Sequence, residues 1–381
     1  MTPADLSRTV LHAVRRAVDE DALRVAVPAR VRVERTRPGG SGDYACAVAL
    51  QLARPAALPA YEVARILKDR IAAEPGIGRV EITGPGFLNL TLDATADGAA
   101  RLALVTEVAA RGTGYGHGTA LSGEEPLLTY APEVRAAVTA DAVAALLRSQ
   151  GAAPRTAPAG PADPAWSGLG VAAGTGPGAA RADTAGTIGP VPAGVPAAEL
   201  LVRLGPDAAR WGLLRAAGHD RAALGDGLLV QSAANPLFLV RYAHARARAV
   251  LRAARELGVR VAPDAYGAPD AYGASDACGA DGPEHEAPFG EPAALTLAAL
   301  LADHPAVLLA AARHRAPDRL ARHLEAVAHA FFDFHDACPP LPAGDEKPSA
   351  AHRSRPALAE AAGTVLAGGL SLLGISAPEH L

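Results

Sequence analysis

A stretch rich in alanine, glycine and proline divides this chain into two parts. Residues 152–198 carry few large apolar side chains, so they are predicted to form a flexible linker that cannot build a hydrophobic core. The residues on either side have the apolar spacing of folded domains. A chain of 381 residues is long enough for two or three such domains. The sequence therefore predicts folded units on both sides of this stretch.

The N-terminal part mixes helix and strand patterns. Residues 1–20 have apolar side chains at helical spacing. The segment VRVER (31–35) alternates as a strand does, and Asp43 is predicted to cap a helix over YACAVALQLA (44–53). The segments GRVEIT and FLNLTL predict two further strands. This pattern indicates a small α/β domain, which we assign to residues 1–120.

The chain after residue 198 is almost purely helical in pattern. NPLFLVRYAHARARAVLRAARELG (235–258) predicts one long helix, and a helix break is expected at Gly205-Pro206. A six-residue unit repeats three times over 263–280 without core-forming side chains, so we expect a disordered insertion at about 263–290. The predicted class is α+β, with an all-α helical bundle over residues 198–381.

Composition and charge argue against several classes of protein. The net charge of −4 argues against indiscriminate coating of nucleic acid. The three cysteines are far apart and form no CxxC pair, which fits a reducing cytosol and offers no metal framework. No signal-peptide core opens the sequence, and the apolar run at 363–378 is too short and glycine-rich to span a bilayer. We expect a cytoplasmic protein without a cofactor, a metal, a membrane partner or a DNA partner.

Several stretches resemble arginyl-tRNA synthetases of the bacterial type, in that family's own order. GDYACAVALQLA and GRVEITGPGFLNLTL are similar to the family's N-terminal additional domain. LGPDAARWGLLRAA resembles the segment that follows the catalytic core, and NPLFLVRYAHARARAV is close to the signature of the DALR anticodon-binding domain. FFDFHDACPPLP and LAGGLSLLGISAPEHL are similar to the end of that domain. The resemblance implies tRNA as the partner, with arginine tRNA as the first candidate.

The family's catalytic motifs are missing between these stretches. Its nucleotide fold begins with a strand, an HxGH turn and a helix. Here LLTY and DAVAALLRSQG are similar to the strand and the helix end, whereas Pro132 stands near the place of the histidine turn. The segment ADTAGTIGPV (182–191) resembles the KMSKS region, with Asp183 where its second lysine would be. We interpret residues 121–197 as a degenerate remnant of the catalytic domain and a flexible linker.

Chemistry and chain length both argue against catalysis in this remnant. Amino-acid activation develops negative charge on phosphates, which cations and positioned donors stabilise, and Asp183 would repel it. Roughly 60 residues separate Pro126 from Pro190, against about 100–150 for an ordinary domain. No GxxxxGK[ST] or GxGxxG motif replaces the missing ones. We therefore assign no catalytic residue and no cofactor-binding residue.

The long helix carries the main candidates for RNA binding. Arg241, Arg248, Arg252 and Arg255 are spaced so that they can form one basic stripe. A solvated face is the ordinary explanation of such a stripe, whereas the resemblance favours contact with RNA phosphates. Tyr242 and Arg246 are expected to face RNA, where either could stack on an unpaired base, and the intervening His244 is expected to be structural.

Further candidates depend on the resemblance alone. His335 stands where family members commonly have a tyrosine near the anticodon. In the N-terminal part the resemblance implies contacts with the tRNA elbow for Asp43, Tyr44, Gln51, Phe87 and Asn89. Phe87 could equally be a core residue, because it lies in a predicted strand.

Three hypotheses about function follow. The first is a tRNA-binding protein related to arginyl-tRNA synthetase, without aminoacylation activity of its own, that acts in a tRNA-dependent pathway or in regulation. The second is an arginine–tRNA ligase whose catalytic core comes from a separate subunit. The third is a scaffold in which the helical bundle binds a protein partner.

Overall fold

The computed structural model describes residues 3–36, 41–92, 94–172, 187–259, 261 and 291–381. The described residues divide into two compact units, one that ends at Ala103 and one that begins at Leu104. The α+β class predicted from the sequence is confirmed, with strands concentrated in the first unit and long helices in the second. The domain limits at 120 and 197 stay predictions.

The first unit combines three helices with a four-stranded sheet. Its elements are α1 (Pro3–Asp19), β1 (Val33–Arg35), β2 (Tyr44–Cys46), α2 (Val48–Ala56), α3 (Ala60–Ala72), β3 (Ile77–Thr83) and β4 (Phe87–Leu92). The strands are antiparallel in the order β1-β2-β4-β3. Leu88 and Leu90 of β4 lie in one core with helix residues such as Val10 and Leu67. Because successive side chains of a strand point to opposite faces, Phe87 and Asn89 lie on the face away from this core.

The predicted helix cap at Asp43 is wrong. Tyr44 and Cys46 are both buried at the spacing of a strand, and α2 begins only at Val48. The Asp43 carboxylate instead accepts a hydrogen bond from the backbone amide of Leu92 at 2.9 Å. The alternation of buried side chains, which has a period of two, outweighs the capping signal here.

The second unit begins within a helix and consists mainly of long helices. Its elements are α4 (Ala94–Arg111, shared with the first unit), β5 (Leu127–Tyr130), α5 (Val134–Ser149), β6 (Arg155–Pro158), α6 (Ala197–Arg215), α7 (Pro236–Glu256), α8 (Pro292–Arg313), α9 (Pro317–Ala337) and α10 (Ala350–Leu372). β5 and β6 are parallel neighbours, and Ile188 forms a parallel bridge to Tyr130. The predicted break in α6 is confirmed, because Gly205 has a non-helical φ of 73° before Pro206.

The predicted linker is wrong for residues 152–172. Residues 155–158 form β6, and a 3-10 helix at Pro164–Leu169 buries the side chains of Trp166 and Leu169. The backbone hydrogen bonds of β6 need no large side chains, and two apolar anchors suffice to attach the 3-10 helix to α6. Residues 173–186, with Asp183, and the repeat at 263–280 lie outside the described residues.

Two buried arginines, one on α5 and one on α6, connect distant segments of the second unit through hydrogen bonds. Arg135 of α5 is 1% exposed, and its guanidinium donates to five backbone carbonyls, those of Val191, Leu213, Ala216, Ala217 and Asp220. Arg210 of α6 donates to the carbonyls of Leu169 and Leu373 and to the Asp141 carboxylate at 2.8 Å. The strand and helix around residues 127–150 are therefore integral parts of the second unit.

One described helix, α8, is long and apolar enough to cross a membrane by length and composition. A single helix of this kind is weak evidence, because core helices of soluble proteins pass the same test. α8 packs against α9 and buries Leu297, Leu301 and His304. The absence of a membrane partner stays a prediction.

Candidate nucleic-acid interface

The predicted long helix, α7, is fixed at its start by Asn235. The Asn235 side chain accepts a hydrogen bond from the amide of Leu237 at 3.1 Å, as an N-cap residue does. Its amide group also donates to the carbonyls of Leu228 and Val230 at 2.8 and 2.9 Å. Pro236 occupies the first helical turn, where it removes no helix hydrogen bond. The helix and the turn before it are therefore held together.

His244 has the structural role expected for it. It is 5% exposed, and its Nδ1 lies 3.0 Å from the carbonyl oxygen of Gly363 in α10. A β-carbon at Gly363 would lie 3.0 Å from Cβ of Ala247, so a larger residue there would require a shift of a few tenths of an ångström between α7 and α10. Burial lowers the pKa of the His244 imidazole, which favours the neutral form.

Tyr242 and Arg246 lie one turn apart and face outward. Tyr242 is 41% exposed, and Arg246 is exposed as well. The Tyr242 ring stacks with Phe238 at a centroid distance of 5.5 Å and with Phe332 of α9 at 5.3 Å. Tyr242 is the most exposed of these three rings, and Arg246 lies one turn further along α7. Aromatic rings and guanidinium planes are the groups that stack with unpaired bases.

The predicted basic stripe is largely engaged within the chain. Arg241 lies 3.6 Å from the Asp207 carboxylate, and Arg248 lies 2.8 Å from the carboxylate of Glu379. Arg252 donates to the backbone carbonyl of Glu379 at 3.4 Å and 3.5 Å through its two terminal nitrogens. The sequence spacing identified the stripe but not the acidic and carbonyl partners that cover it.

His335 lies in the last turn of α9, among aromatic residues. Its side chain is 19% exposed and Nδ1 lies 3.6 Å from the Asp336 carboxylate. The ring is tilted against Phe331 at a centroid distance of 6.1 Å, and Phe331 and Phe334 are fully buried. His335 therefore borders a core cluster and presents only a small surface.

A cleft of about 300 Å³ next to α7 was not expected from the sequence. Phe238 and Arg241 line it from α7, and the break at Gly205 opens it from α6. Leu229 and Leu381 lie at its rim and are more than half exposed, at 51% and 59%. The Gly205-Pro206 break was the only sequence signal related to this cleft. It predicted a bend in α6 but not the residues of α7 that lie opposite the bend.

The five residues implied for the first unit have different environments. Phe87 is 39% exposed and Gln51 is exposed on α2. Asn89 is buried, and its side-chain amide donates to the Thr83 hydroxyl at 2.9 Å. Tyr44 is only 5% exposed and belongs to the core, which is unlike the position of an RNA-contacting ring. Asp43 is exposed and directly precedes β2.

The strand and helix that resemble the start of a nucleotide fold end in a closed turn. The Glu133 carboxylate accepts hydrogen bonds from the amides of Arg135 and Ala136 at 2.9 and 3.1 Å, and from the amide of Ala193 at 2.8 Å. The N-terminus of a helix is an ordinary place for phosphate. Here a carboxylate of the chain itself occupies that place.

The carboxyl end of β5 is also filled by protein. In open parallel sheets ligands bind beyond the carboxyl ends of the strands. A β-carbon on Gly160 would lie 3.2 Å from Cγ of Pro132, so the chain segments that follow β5 and β6 pack directly on each other. Within the described parts of the chain, no group of three or more His, Cys, Asp or Glu side chains could hold a metal ion.

Two family models match this chain. The model of the arginyl tRNA synthetase N terminal domain matches residues 5–92, and that of the DALR anticodon binding domain matches residues 240–381. The first match covers nearly all of the first unit. The second begins in α7, two residues before Tyr242, and contains Arg246, Arg248, Arg252 and His335.

Similar proteins include bacterial arginine–tRNA ligases. The ligase of Renibacterium salmoninarum is 41% identical over 165 residues, which are 40% of this chain and 29% of that protein. The ligase of Frankia alni is 47% identical over 117 residues, which are 31% of this chain and 20% of that protein. The matched segments thus span less than a third of these relatives.

Solved structures show the same fold at low sequence identity. The arginyl-tRNA synthetase of Thermus thermophilus superposes with a TM-score of 0.63 at 14% identity, and that of Plasmodium falciparum with 0.65 at 9% identity. Both superpositions cover 100% of each chain.

Proposed function

This chain carries the N-terminal domain and the DALR anticodon-binding domain of the arginyl-tRNA synthetase family, and from this premise we propose that it binds tRNA without aminoacylation activity of its own. It acts in a tRNA-dependent pathway or in regulation, in the cytoplasm. Arginine tRNA is the first candidate ligand, because the related proteins are arginine–tRNA ligases.

The observation that carries tRNA binding is the outward surface of α7. Tyr242 and Arg246 are exposed one helical turn apart, while His244 between them is buried. Single-stranded RNA loops offer unstacked bases to aromatic rings and guanidinium planes. The stack of Phe238, Tyr242 and Phe332 is such a platform within a domain whose family binds an anticodon.

The closed terminus of α5 supports the absence of catalysis. A nucleotide phosphate at this terminus would displace the Glu133 carboxylate from the amides of Arg135, Ala136 and Ala193. A second anion near the same carboxylate is repelled by about 1 kcal/mol at 4 Å even in bulk water, and by more at a protein surface. Phosphate binding at this turn is therefore energetically disfavoured.

Equilibrium binding to unfractionated tRNA tests the first part of the proposal. A complex held by phosphate contacts loses at least about tenfold in affinity between 50 and 200 mM salt. Sequencing of the RNA that copurifies with the chain then identifies the tRNA. Capture of one protein and no RNA would instead support a scaffold.

Arginine-dependent exchange of pyrophosphate into ATP tests the second part. The purified chain is expected to show no exchange above a blank without enzyme. Exchange by the chain alone would contradict the proposal, whereas exchange only after addition of a partner protein would support a ligase with a separate catalytic subunit.

A further inference from the structure

The last six residues lie along the basic face of α7. We call Ser376–Leu381 the C-terminal segment. The Glu379 carboxylate is 2.8 Å from Arg248, and its backbone carbonyl accepts from Arg252. Arg241 donates to the Ser376 hydroxyl at 3.3 Å. One short segment therefore contacts three of the four arginines that the sequence spacing had placed in a stripe.

The two ends of this contact differ in how firmly they are held. Ser376 donates its backbone amide to the Asp207 carboxylate at 3.1 Å and its hydroxyl to the same group, and the preceding Ile375 is 4% exposed. The side chain of Glu379 is 54% exposed and that of Arg248 is 32% exposed. The segment is thus anchored at Ser376, while the ion pair at Glu379 is open to water and to competing ions.

We propose that Glu379 is a selectivity residue for the tRNA-binding face. The inference rests on the proposed function. Glu379 holds Arg248 in an internal ion pair, so a phosphate that approaches this arginine must first displace a carboxylate. This cost opposes a phosphate contact at Arg248, whereas stacking at Tyr242 does not require displacement of Glu379. Glu379 therefore lowers the affinity for RNA in general and increases the relative preference for RNA with unpaired bases at the right place.

The variant Glu379→Gln tests this role because it keeps the side-chain shape and removes the charge. Glu256→Gln is the matched control: Glu256 is exposed on the same helix and pairs with no residue that the structure describes. The probes are a fully paired RNA duplex, which offers phosphates but no unpaired bases, and unfractionated tRNA, each titrated from 50 to 200 mM salt. Melting temperatures equal to wild type within about 2 °C establish that both variants fold, since an exposed ion pair contributes little to stability.

One additional phosphate bound on a double helix steepens the dependence of log affinity on log salt by about 0.9, which corresponds to an affinity about fifteenfold higher at 50 mM salt when the contact contributes nothing at 1 M salt. We expect that increase for the RNA duplex with Glu379→Gln, an increase of less than about twofold with Glu256→Gln, and a smaller relative increase for tRNA. Compared with Arg248→Gln alone, the double variant Arg248→Gln/Glu379→Gln is expected to show no such increase, because the released cation is absent.

The outcomes separate this inference from the proposed function. If wild type binds tRNA but Glu379→Gln matches Glu256→Gln on both probes, the role of Glu379 is wrong and tRNA binding stands. An increase in affinity that persists in the Arg248 background would also overturn it, since another group would then be responsible. If no variant binds any RNA, both proposals fail together.

Discussion

The carboxylate of Glu133 accepts a hydrogen bond from the backbone amide of Arg135 at 2.9 Å and thereby caps the helix that follows the first parallel strand. The same carboxylate also accepts a hydrogen bond from the backbone amide of Ala193 at 2.8 Å. Ala193 lies five residues after Ile188, which forms a parallel bridge to Tyr130 of β5. Glu133 thus joins the start of α5 to a distant segment. A position that resembles a nucleotide site by sequence is a structural junction in the fold.

Substitution of Glu133 by alanine is expected to lower the free energy of unfolding by about 1–2 kcal/mol, because a helix cap is lost. Urea titration followed by fluorescence suits this measurement, since the chain's two tryptophans, Trp166 and Trp211, are buried in the second unit. Glu125→Ala, at an exposed site before β5, serves as the control and should change little. Unchanged stability of Glu133→Ala would show that the cap is unimportant.

Arg135→Ala is expected to be far more damaging, with a loss of about 3 kcal/mol or more, because several buried carbonyls lose their donor. The exposed Arg148 lies on the same helix, and Arg148→Ala should stay within about 0.5 kcal/mol of wild type. The comparison uses the same urea titration, or the soluble yield if the Arg135 variant does not fold. Equal stability of the two variants would contradict the stabilising role assigned to the buried hydrogen bonds of Arg135.

Tyr242→Ala is expected to weaken tRNA binding by about 1–3 kcal/mol, the range for a base–aromatic stack. Tyr242→Phe keeps the ring, which also contacts Phe238 and Phe332, and should retain most of the affinity. Binding is measured by filter retention beside melting curves, so that lost folding is distinguished from lost contact. Wild-type affinity in a folded alanine variant would exclude stacking at this ring.

Arg246→Gln is expected to reduce the salt dependence of tRNA binding by about 0.7–0.9 in the log–log slope, because one phosphate contact is removed. Arg148→Gln removes the same charge from an exposed position on α5 and is the control for net charge. The slope is taken from titrations between 50 and 200 mM salt. Identical slopes for the two variants would mean that Arg246 acts only through overall charge.

Acid is expected to destabilise the second unit through two buried histidines. Burial lowers the pKa of His304 to about 3 and that of His323 to about 4, and their rings stack at 5.2 Å. Because both pKa values lie below the unfolded value of about 6.5, the unfolded state binds more protons below that pH. Stability is therefore complete above about pH 6.5 and falls as the pH decreases toward the folded pKa values.

Urea titrations at pH 7.5 and pH 5 measure this effect. Each buried histidine is expected to contribute a loss of about 2 kcal/mol at pH 5. His323→Leu should reduce the difference between the two pH values, whereas His329→Gln, at an exposed position of α9, should leave it unchanged. A wild-type profile that is flat between pH 7.5 and 5 would contradict the buried neutral pair.

Patterns that depend on neighbours along the chain were predictable. The long helix after Asn235, the break at Gly205 and the burial of His244 follow from capping, glycine geometry and helical spacing. The cap assigned to Asp43 failed because a three-residue strand intervenes, and its tertiary pairing with β4 outweighs a local signal. The linker prediction failed for residues 152–172 because it assumed that a segment with few large apolar side chains cannot be part of a fold. Backbone pairing in β6 and the burial of Trp166 are enough to fix this segment.

Contacts between distant segments could not be read from the sequence. Arg248 and Glu379 lie on α7 and after α10, and nothing in their local patterns indicates that they pair. The five carbonyls bound by Arg135 likewise come from segments that follow it by more than fifty residues. Helical spacing identified a candidate RNA-binding face on α7. The pairing of its arginines with acidic groups of the same chain became visible only in the folded structure.

The central claim is that this chain binds tRNA, and the most direct test is the equilibrium affinity of the wild-type chain for unfractionated tRNA across 50–200 mM salt. We expect saturable binding that weakens at least about tenfold over this range. No saturable binding to any tRNA at 50 mM salt, from a chain shown to be folded by its melting curve, would contradict it.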